Sequence, residues 1–430
     1  MTGAAARLLP SDPRTLLADL FAAAVAASLP EAVVAAHLPP PPSGRVLILG
    51  AGKASAAMAQ AVERAWPGVD LRGLVVTRHG HGARCERVEV VEAGHPLPDL
   101  AGLTAASRIL DLAKRAGADD LVLVLISGGG SSLLTLPAPG LTFAHELAVG
   151  HGLLRSGAPI GAVNCVRKHL SAIKGGRLAL AAAPAAVLTL IISDVVGDDP
   201  ALVASGPTLA DPTTAADALA VLRKWRIQAP PPVIRHLREG RDETPKPGDP
   251  RLAGARAVVV ATAAVALEAA AALAHARGMN PINLGAAVEG ESRDAARWMA
   301  SRVLAVARGE ERGAARRVLI SGGETTVTVR GPGRGGPNTE FLLALAVELA
   351  GHAGVSAIAC DTDGIDGSDD NAGAVITPDT LSRATALGLV ATDHLARNDA
   401  HAFFSALGDL VTTGPTRTNV NDFRAVLIGG

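Results

Sequence analysis

A chain of 430 residues is more than one ordinary hydrophobic core accommodates and suits two domains. With 40 Lys and Arg against 41 Asp and Glu, it has no net basic field to hold nucleic acid, so any anion must be met by a local cluster of cations. Hydrophobic residues make up 48% but aromatic ones only 2%, with no tyrosine, which argues against stacking bases on rings and for cores filled by Ala, Val and Leu.

The elements follow in chain order. Residues 13–37 read as helical and end at the proline run 39–42. "RVLILGAGKASAAMAQAVERAW" is a strand, a glycine turn and a helix. "LRGLVVTRHGHG" and "RVEVVEAG" are strands, "AASRILDLAKRAGADD" is a helix, and "LVLVLI" is a buried strand that stops at Ser-Gly-Gly. "GAVNCVRKHLSAIKGGRLALAA" reads as helical, broken at Gly175 and Gly176, and "VLTLIISDVVGDD" is a strand with an acidic end. The proline- and charge-rich stretch 230–250 reads as a linker. Beyond it come strand "ARAVVVAT", helix "AAVALEAAAALAHARG", strand "PINLG", helix "ESRDAARWMASRVLAVARG" and the strand pair "RVLISGG" and "TTVTVRG". Helix "FLLALAVELAG", strand "VSAIACDTDGIDG" with its acidic loop, helix "DAHAFFSALG" and strand "FRAVLIGG" complete the chain. Continuous apolar strands alternating with helices predict an α/β protein with mainly parallel sheet.

Cys85, Cys165 and Cys360 are scattered, which gives neither a disulfide framework nor a zinc site and fits a reduced cytoplasmic compartment. The N-terminal stretch lacks a charged segment followed by a long apolar one. The longest apolar run, Leu178 to Ile192, is interrupted by Pro184 and too short to span a bilayer. The expectation is a soluble protein with no membrane and no nucleic-acid partner.

Four constellations carry chemistry. Gly50 and Gly52 lie between a strand and a helix, where backbone amides approach phosphate, and Lys53 follows at the mouth of the turn. Ser55 breaks the dinucleotide fingerprint and Ala54 breaks the P-loop signature. The next strand ends in Thr77, Arg78 and His79 rather than in an acid, which disfavours NAD but leaves NADP open. Ser127, Gly128, Gly129, Gly130, Ser131 and Ser132 form a glycine nest at a strand end, with hydroxyls that add donors. Arg167, Lys168, His169, Lys174 and Arg177 make a cationic patch at helical spacing. Asp194 ends one strand, and Asp361, Asp363, Asp366, Asp369 and Asp370 follow another; carboxylates of this kind hold Mg²⁺ together with substrate phosphates. Glycine nests, a lysine, a cationic helix and strand-end aspartates are the parts phosphoryl transfer needs.

"GAGKAS", "ISGGGSSLL", "VRKHLSAIKGGRLA", "ISDVVGDDPALVASGPT", "LISGGETTVTVRG" and "DTDGIDGSDDNAGA" together resemble the glycerate 2-kinase family, also labelled hydroxypyruvate reductase, over nearly the whole chain. The resemblance implies a Rossmann-like N-terminal domain (residues 1–240), a C-terminal α/β domain (residues 250–430, with a MOFRL region at about 316–425) and an active-site cleft between them. It implies phosphorylation of D-glycerate at C2 by ATP with Mg²⁺, by a monomer or homodimer. On the matching motifs, Lys53, Asp194 and Asp363 are the catalytic candidates, and Asp194 and Asp361 the metal ligands. Gly50, Gly52, Ser127 to Ser132, Arg167, Lys168, Glu324, Arg334, Asn338 and Glu340 are the substrate or phosphate contacts. One departure stands out: the family often reads GGRNQE where this chain reads "GGPNTE", so Pro337 replaces an arginine and Thr339 a glutamine. An NAD(P)H-dependent hydroxypyruvate reductase is the alternative reading. On the kinase reading, the two Ser-Gly-Gly edges supply one ligand-facing sheet edge per domain.

Overall fold

The computed structural model describes residues 12–308, 316–367 and 369–429, so residues 1–11 of the N-terminal stretch lie outside it. The chain divides into two compact units. One comprises Leu29–Thr262 with Arg417–Asn419; the other comprises the residues up to Ser28, Ala263–Thr416 and those from Val420 onward.

The first unit is built on six strands: β1 (Val46–Ala51), β2 (Leu71–Arg78), β3 (Val88–Ala93), β4 (Leu121–Ile126), β5 (Ala186–Ile192) and β6 (Ala255–Ala261). They pair in the order β3-β2-β1-β4-β5-β6, all parallel. β1 and β4 are buried throughout, as expected of strands covered on both faces. Leu47, Leu49, Val122, Val124 and Ile126 pack with Ile109 of the helix Leu100–Ala113 and Leu178 of the helix Arg177–Ala182. A satellite core gathers Leu153, Val166, Leu222, Val233 and Leu237 from four helices.

The boundary between units lies at Thr262, past the proline-rich stretch read as a linker. Residues Pro231–Glu239 form a helix, with proline in the first turn where a missing N–H costs nothing. Val233 and Leu237 anchor that helix in the satellite core, and β6 then adds to the first sheet. At the other end of the chain, the helix Pro13–Ser28 belongs to the second unit.

The second unit carries β7 (Asn280–Asn283), β8 (Gly290–Glu291), β9 (Arg317–Gly323), β10 (Thr325–Thr326), β11 (Val355–Asp361), β12 (Gly373–Ile376), β13 (Leu410–Val411) and β14 (Asp422–Ile428). Its main sheet runs β13-β12-β11-β14-β9-β7 and is antiparallel except for β7 with β9. The "TTVTVRG" segment forms strand only at β10, which pairs with β8; Val329 beyond it is 74% exposed and has no apolar face to bury. One sheet face is covered by Met299, Phe341, Leu345, Phe403 and Phe404. The helix Pro13–Ser28 is tied in through Phe21, whose ring lies 5.9 Å from that of Phe423, and Asp19, 2.6 Å from Arg277. Among the described residues no single helix is long and apolar enough to cross a membrane.

Candidate active site

In the first sheet the strand order reverses between β1 and β4, and ligands of open α/β sheets gather outside the carboxyl ends at such a point. β1 and β4 are neighbours in register, Ala51 opposite Ile126, so the two glycine-rich turns that follow them leave the sheet together. Three of the expected phosphate contacts lie at this junction. A Cβ on Gly50 would lie 2.3 Å from the Leu125 carbonyl oxygen, and one on Gly52 (φ +141°) 2.1 Å from Ser127 Oγ. Ser127 Oγ accepts from the Ala54 amide at 2.9 Å, at the start of the helix Ser55–Ala65, and the Lys53 amide donates to the Gly128 carbonyl at 2.9 Å. Gly50, Gly52 and Ser127 therefore lock the turns to each other.

The next two glycines face side chains with chemistry. A Cβ on Gly128 would fall 1.8 Å from Asp194 Oδ2 and 2.4 Å from Asn419 Nδ2. One on Gly129 (φ +79°) would fall 2.9 Å from His95 Cδ2 and 3.6 Å from Lys53 Cγ. Asn419 Nδ2 donates to Asp194 Oδ2 at 3.0 Å, and Asp194 and Lys53 are half-buried. A lysine, an imidazole and a carboxylate thus surround one bare turn. His95 and Asn419 escaped sequence reasoning: His95 sits in an irregular loop, and Asn419 lies 225 residues after its partner.

Behind the turn, Ser131 Oγ lies 2.8 Å from Ser205 Oγ, which donates to Asn164 Oδ1 at 2.8 Å. Asn164 Nδ2 donates in turn to the Leu202 carbonyl at 2.8 Å. Ser132 Oγ donates to the Gly129 carbonyl at 3.0 Å, and Gly130 packs its bare Cα against Ala204.

Most of the cationic patch turns inward. Lys168 Nζ lies 3.4 Å from Asp211 Oδ1, both buried. Buried Lys174 reaches Glu146 Oε1 at 3.3 Å, and burial pushes its ammonium below its usual pKa, with Glu146 opposing. Arg177 donates to the carbonyls of Lys168 (3.0 Å) and Asp242 (2.5 Å). Only Arg167 of these four cations has neither hydrogen bond nor ion pair among the described residues. It lines a pocket shared with Ser131, Ser132 and Glu146.

In the second unit most of the expected site residues bond to the backbone or to one another's neighbours. Asp361 Oδ1 accepts from the Asp363 amide at 2.9 Å, and Asp363 Oδ1, on a residue 1% exposed, accepts from the Ile365 amide at 2.8 Å. The carboxyl of buried Asp366 accepts from the amides of Asn338 and Thr339, each at 2.9 Å, at the start of the helix Pro337–Leu349. Burial pushes Asp366 up to about 6, against the pull of those amides. Pro337 holds the helix's first position, where a proline loses no hydrogen bond. Asn338 donates to Asp422 at 2.6 Å, and Glu340 pairs with Arg293 at 2.5 Å; both are buried and brace this unit. Burial raises the Glu340 pKa and Arg293 holds it back. Glu324 is exposed after β9, and Arg334 pairs with Asp369.

Among the described residues no three His, Cys, Asp or Glu side chains gather closely enough to cage a metal ion. Mg²⁺ accompanying a nucleotide takes one or two carboxylates plus phosphate oxygens, and Asp194 beside the glycine turn is a donor that fits.

Residues 16–238 match the family model of a domain of unknown function, DUF4147, and residues 317–422 match the MOFRL family. A D-glycerate 2-kinase of Thermotoga maritima is 36% identical over 420 residues, 97% of this chain and 99% of its own. The crystal structure of a glycerate kinase from Thermotoga maritima covers 96% of this chain and 99% of its own, with a TM-score of 0.85 and 36% identity. An Agrobacterium vitis protein with the provisional name hydroxypyruvate reductase is 52% identical over 421 residues, 97% of this chain and 94% of its own.

Proposed function

The chain belongs to the DUF4147–MOFRL family, that of the glycerate kinases it matches, and from this premise we propose that it transfers a phosphoryl group from ATP to the C2 hydroxyl of D-glycerate, with Mg²⁺. The observation that carries the reading is the meeting of Lys53, Gly128, Gly129 and Asp194 at the switch point of the parallel sheet. Phosphoryl transfer asks the protein for positioning and charge neutralisation rather than covalent chemistry. Lys53 is assigned to the charge of the transferring group. The bare backbone of Gly128 and Gly129 is assigned to phosphate oxygens, which a side chain there would exclude. Asp194, oriented by Asn419, is the ligand proposed for Mg²⁺, which when bound neutralises phosphate charge. Asp363 is assigned to holding its turn through the Ile365 amide, since a loose transition state asks little of a general base. The three cysteines are free, in keeping with a reducing, cytoplasmic setting.

The reductase name of a relative calls for a direct comparison. Against a dinucleotide, the space above Gly52, where backbone would approach a pyrophosphate, is filled by Ser127. The deciding experiment incubates purified protein with Mg-ATP and D-glycerate, then adds enolase, which acts on 2-phosphoglycerate but not on 3-phosphoglycerate. ADP release with phosphoenolpyruvate formed by enolase alone is expected. Phosphoenolpyruvate that appears only after phosphoglycerate mutase is added sinks the C2 assignment. NADPH oxidation by hydroxypyruvate, with no ADP formed from glycerate, sinks the kinase reading.

A further inference from the structure

Beside the glycine turn lies a pocket that the proposed roles above leave unused. Its walls are aliphatic, with Leu97, Val149, Leu153, Leu154 and Leu170 among them. Leu97 and Leu154 stand at 48% and 54% exposure. Its polar groups are few: the hydroxyls of Ser131 and Ser132, the His151 imidazole, the Glu146 carboxylate and the Arg167 guanidinium.

Two of these groups are incompletely satisfied. Arg167 has no hydrogen bond or ion pair among the described residues, and burial pushes its pKa down, with Glu146 only partly opposing. Glu146 Oε1 is bound by Lys174, while its buried Oε2 has no hydrogen-bond partner. A partly desolvated guanidinium without a partner is costly unless an anion completes it. A buried carboxylate oxygen likewise asks for a donor. The pocket therefore suits a ligand with an apolar body, a hydrogen-bond donor and an anionic group. D-Glycerate has the charge and the hydroxyls but no apolar body for the leucines. A nucleotide has all three, and aliphatic side chains enclose a planar base as aromatic ones do. The serines that line the pocket continue the sequence of Gly128, Gly129 and Gly130, so a phosphate chain entering past Arg167 and Ser131 runs toward the turn beside Lys53.

We propose that this pocket takes the nucleoside end of ATP, with Arg167 on the phosphate chain and Glu146 Oε2 accepting from the base amine or a ribose hydroxyl. This rests on the kinase reading and deepens it by assigning the nucleotide to the first unit.

The test measures binding of a fluorescent N-methylanthraniloyl derivative of ATP, with Mg²⁺ and without glycerate, to wild type, Arg167→Met and Leu154→Glu. Leu154→Glu places a charge at an exposed position of the pocket and leaves folding intact, so it covers the case in which Arg167→Met folds poorly; thermal melting checks both. Each variant is expected to raise the nucleotide Kd about tenfold or more, an ordinary loss for a central binding contact, and to change the D-glycerate KM at saturating ATP less than about twofold. Unchanged nucleotide affinity in two folded variants overturns the proposal, and a raised glycerate KM alongside it assigns the pocket to the acceptor instead. If wild type binds the nucleotide, the variants lose it and glycerate is not phosphorylated, the pocket assignment stands and the acceptor assignment falls.

Discussion

Oδ2 of Asp194 occupies the space that a side chain on Gly128 would need. A Cβ there would lie 1.8 Å from that oxygen and 2.4 Å from the Asn419 amide nitrogen. Either the turn or the Asp194–Asn419 pair must move to admit a methyl group. Gly128→Ala should lower kcat about 100-fold, the scale of a displacement of about 1 Å at a reacting centre. Thermal stability should change little, because the strain falls on a turn beyond the sheet. Steady-state kinetics alongside a melting curve checks this; near-native turnover in a folded variant means the pair does not need its present position.

Lys53 lies over the same turn, its Cγ 3.6 Å from the position of a Gly129 Cβ. Lys53→Met keeps the aliphatic bulk and removes the charge. Turnover should fall by about 100-fold, the scale of losing one preorganised charge at the transferring group. The melting temperature should hold. A rate within a few-fold of wild type makes the lysine a bystander.

Lys168 should behave in the opposite way. Its ammonium is paired with Asp211, and Asp211 also accepts from Thr213 Oγ1 (2.8 Å) and Thr244 Oγ1 (3.1 Å). Lys168→Met leaves a buried carboxylate without its cation, at a cost of about 3–5 kcal/mol. Urea titration should record that loss, while the D-glycerate KM of the folded fraction stays at the wild-type value. A variant of full stability with a raised KM returns Lys168 to the ligand contacts.

Asp366 predicts a pH dependence of stability. Its carboxyl titrates at about 6 in the folded chain against an ordinary 3.8, because burial outweighs the amides it accepts from. The folded state therefore holds the proton more tightly than the unfolded state. The resulting stabilisation is present in full below about 4 and is lost as pH rises through about 6. Relative to Asp366→Asn, wild type should lose on the order of 3 kcal/mol between pH 4 and pH 7. Denaturant unfolding at several pH values measures it; a difference that is flat or grows with pH refutes the assignment.

The parts of the site that were legible in the sequence are those where a buried strand stops at glycine. Lys53, the Gly128 turn and Asp194 stand at the ends of β1, β4 and β5, marked by apolar runs that stop abruptly. Which of those residues face a ligand was not legible, because it depends on the register between strands. The pairing of Ala51 with Ile126 is what turns Gly52 and Ser127 onto each other. His95, Asn164, Ser205 and Asn419 carry no local pattern and acquire meaning only from partners distant in sequence. The surroundings of the cationic run were illegible for a related reason: the helix Ile160–His169 ends before Lys174, and the partners Asp211 and Glu146 of Lys168 and Lys174 lie far off in sequence. The boundary of the compact units at Thr262 lies past the stretch read as a linker, because prolines at the start of the helix Pro231–Glu239 look like linker composition.

The packing of the helix Pro13–Ser28 has a consequence for biogenesis. Phe21 and Asp19 leave the ribosome well before their partners Arg277 and Phe423, which follow strands β1 to β6 in the chain. Strands β1 to β6 follow one another in the chain, and all are made before Arg277. Leu16, Leu17, Leu20 and Phe21, all buried in the finished molecule, wait at least until the helix Ala263–Ala276, on which the helix Pro13–Ser28 packs, has been made. A ribosome that stalls before the codon for Ala263 leaves those side chains without native cover, a natural substrate for holdase chaperones and proteases.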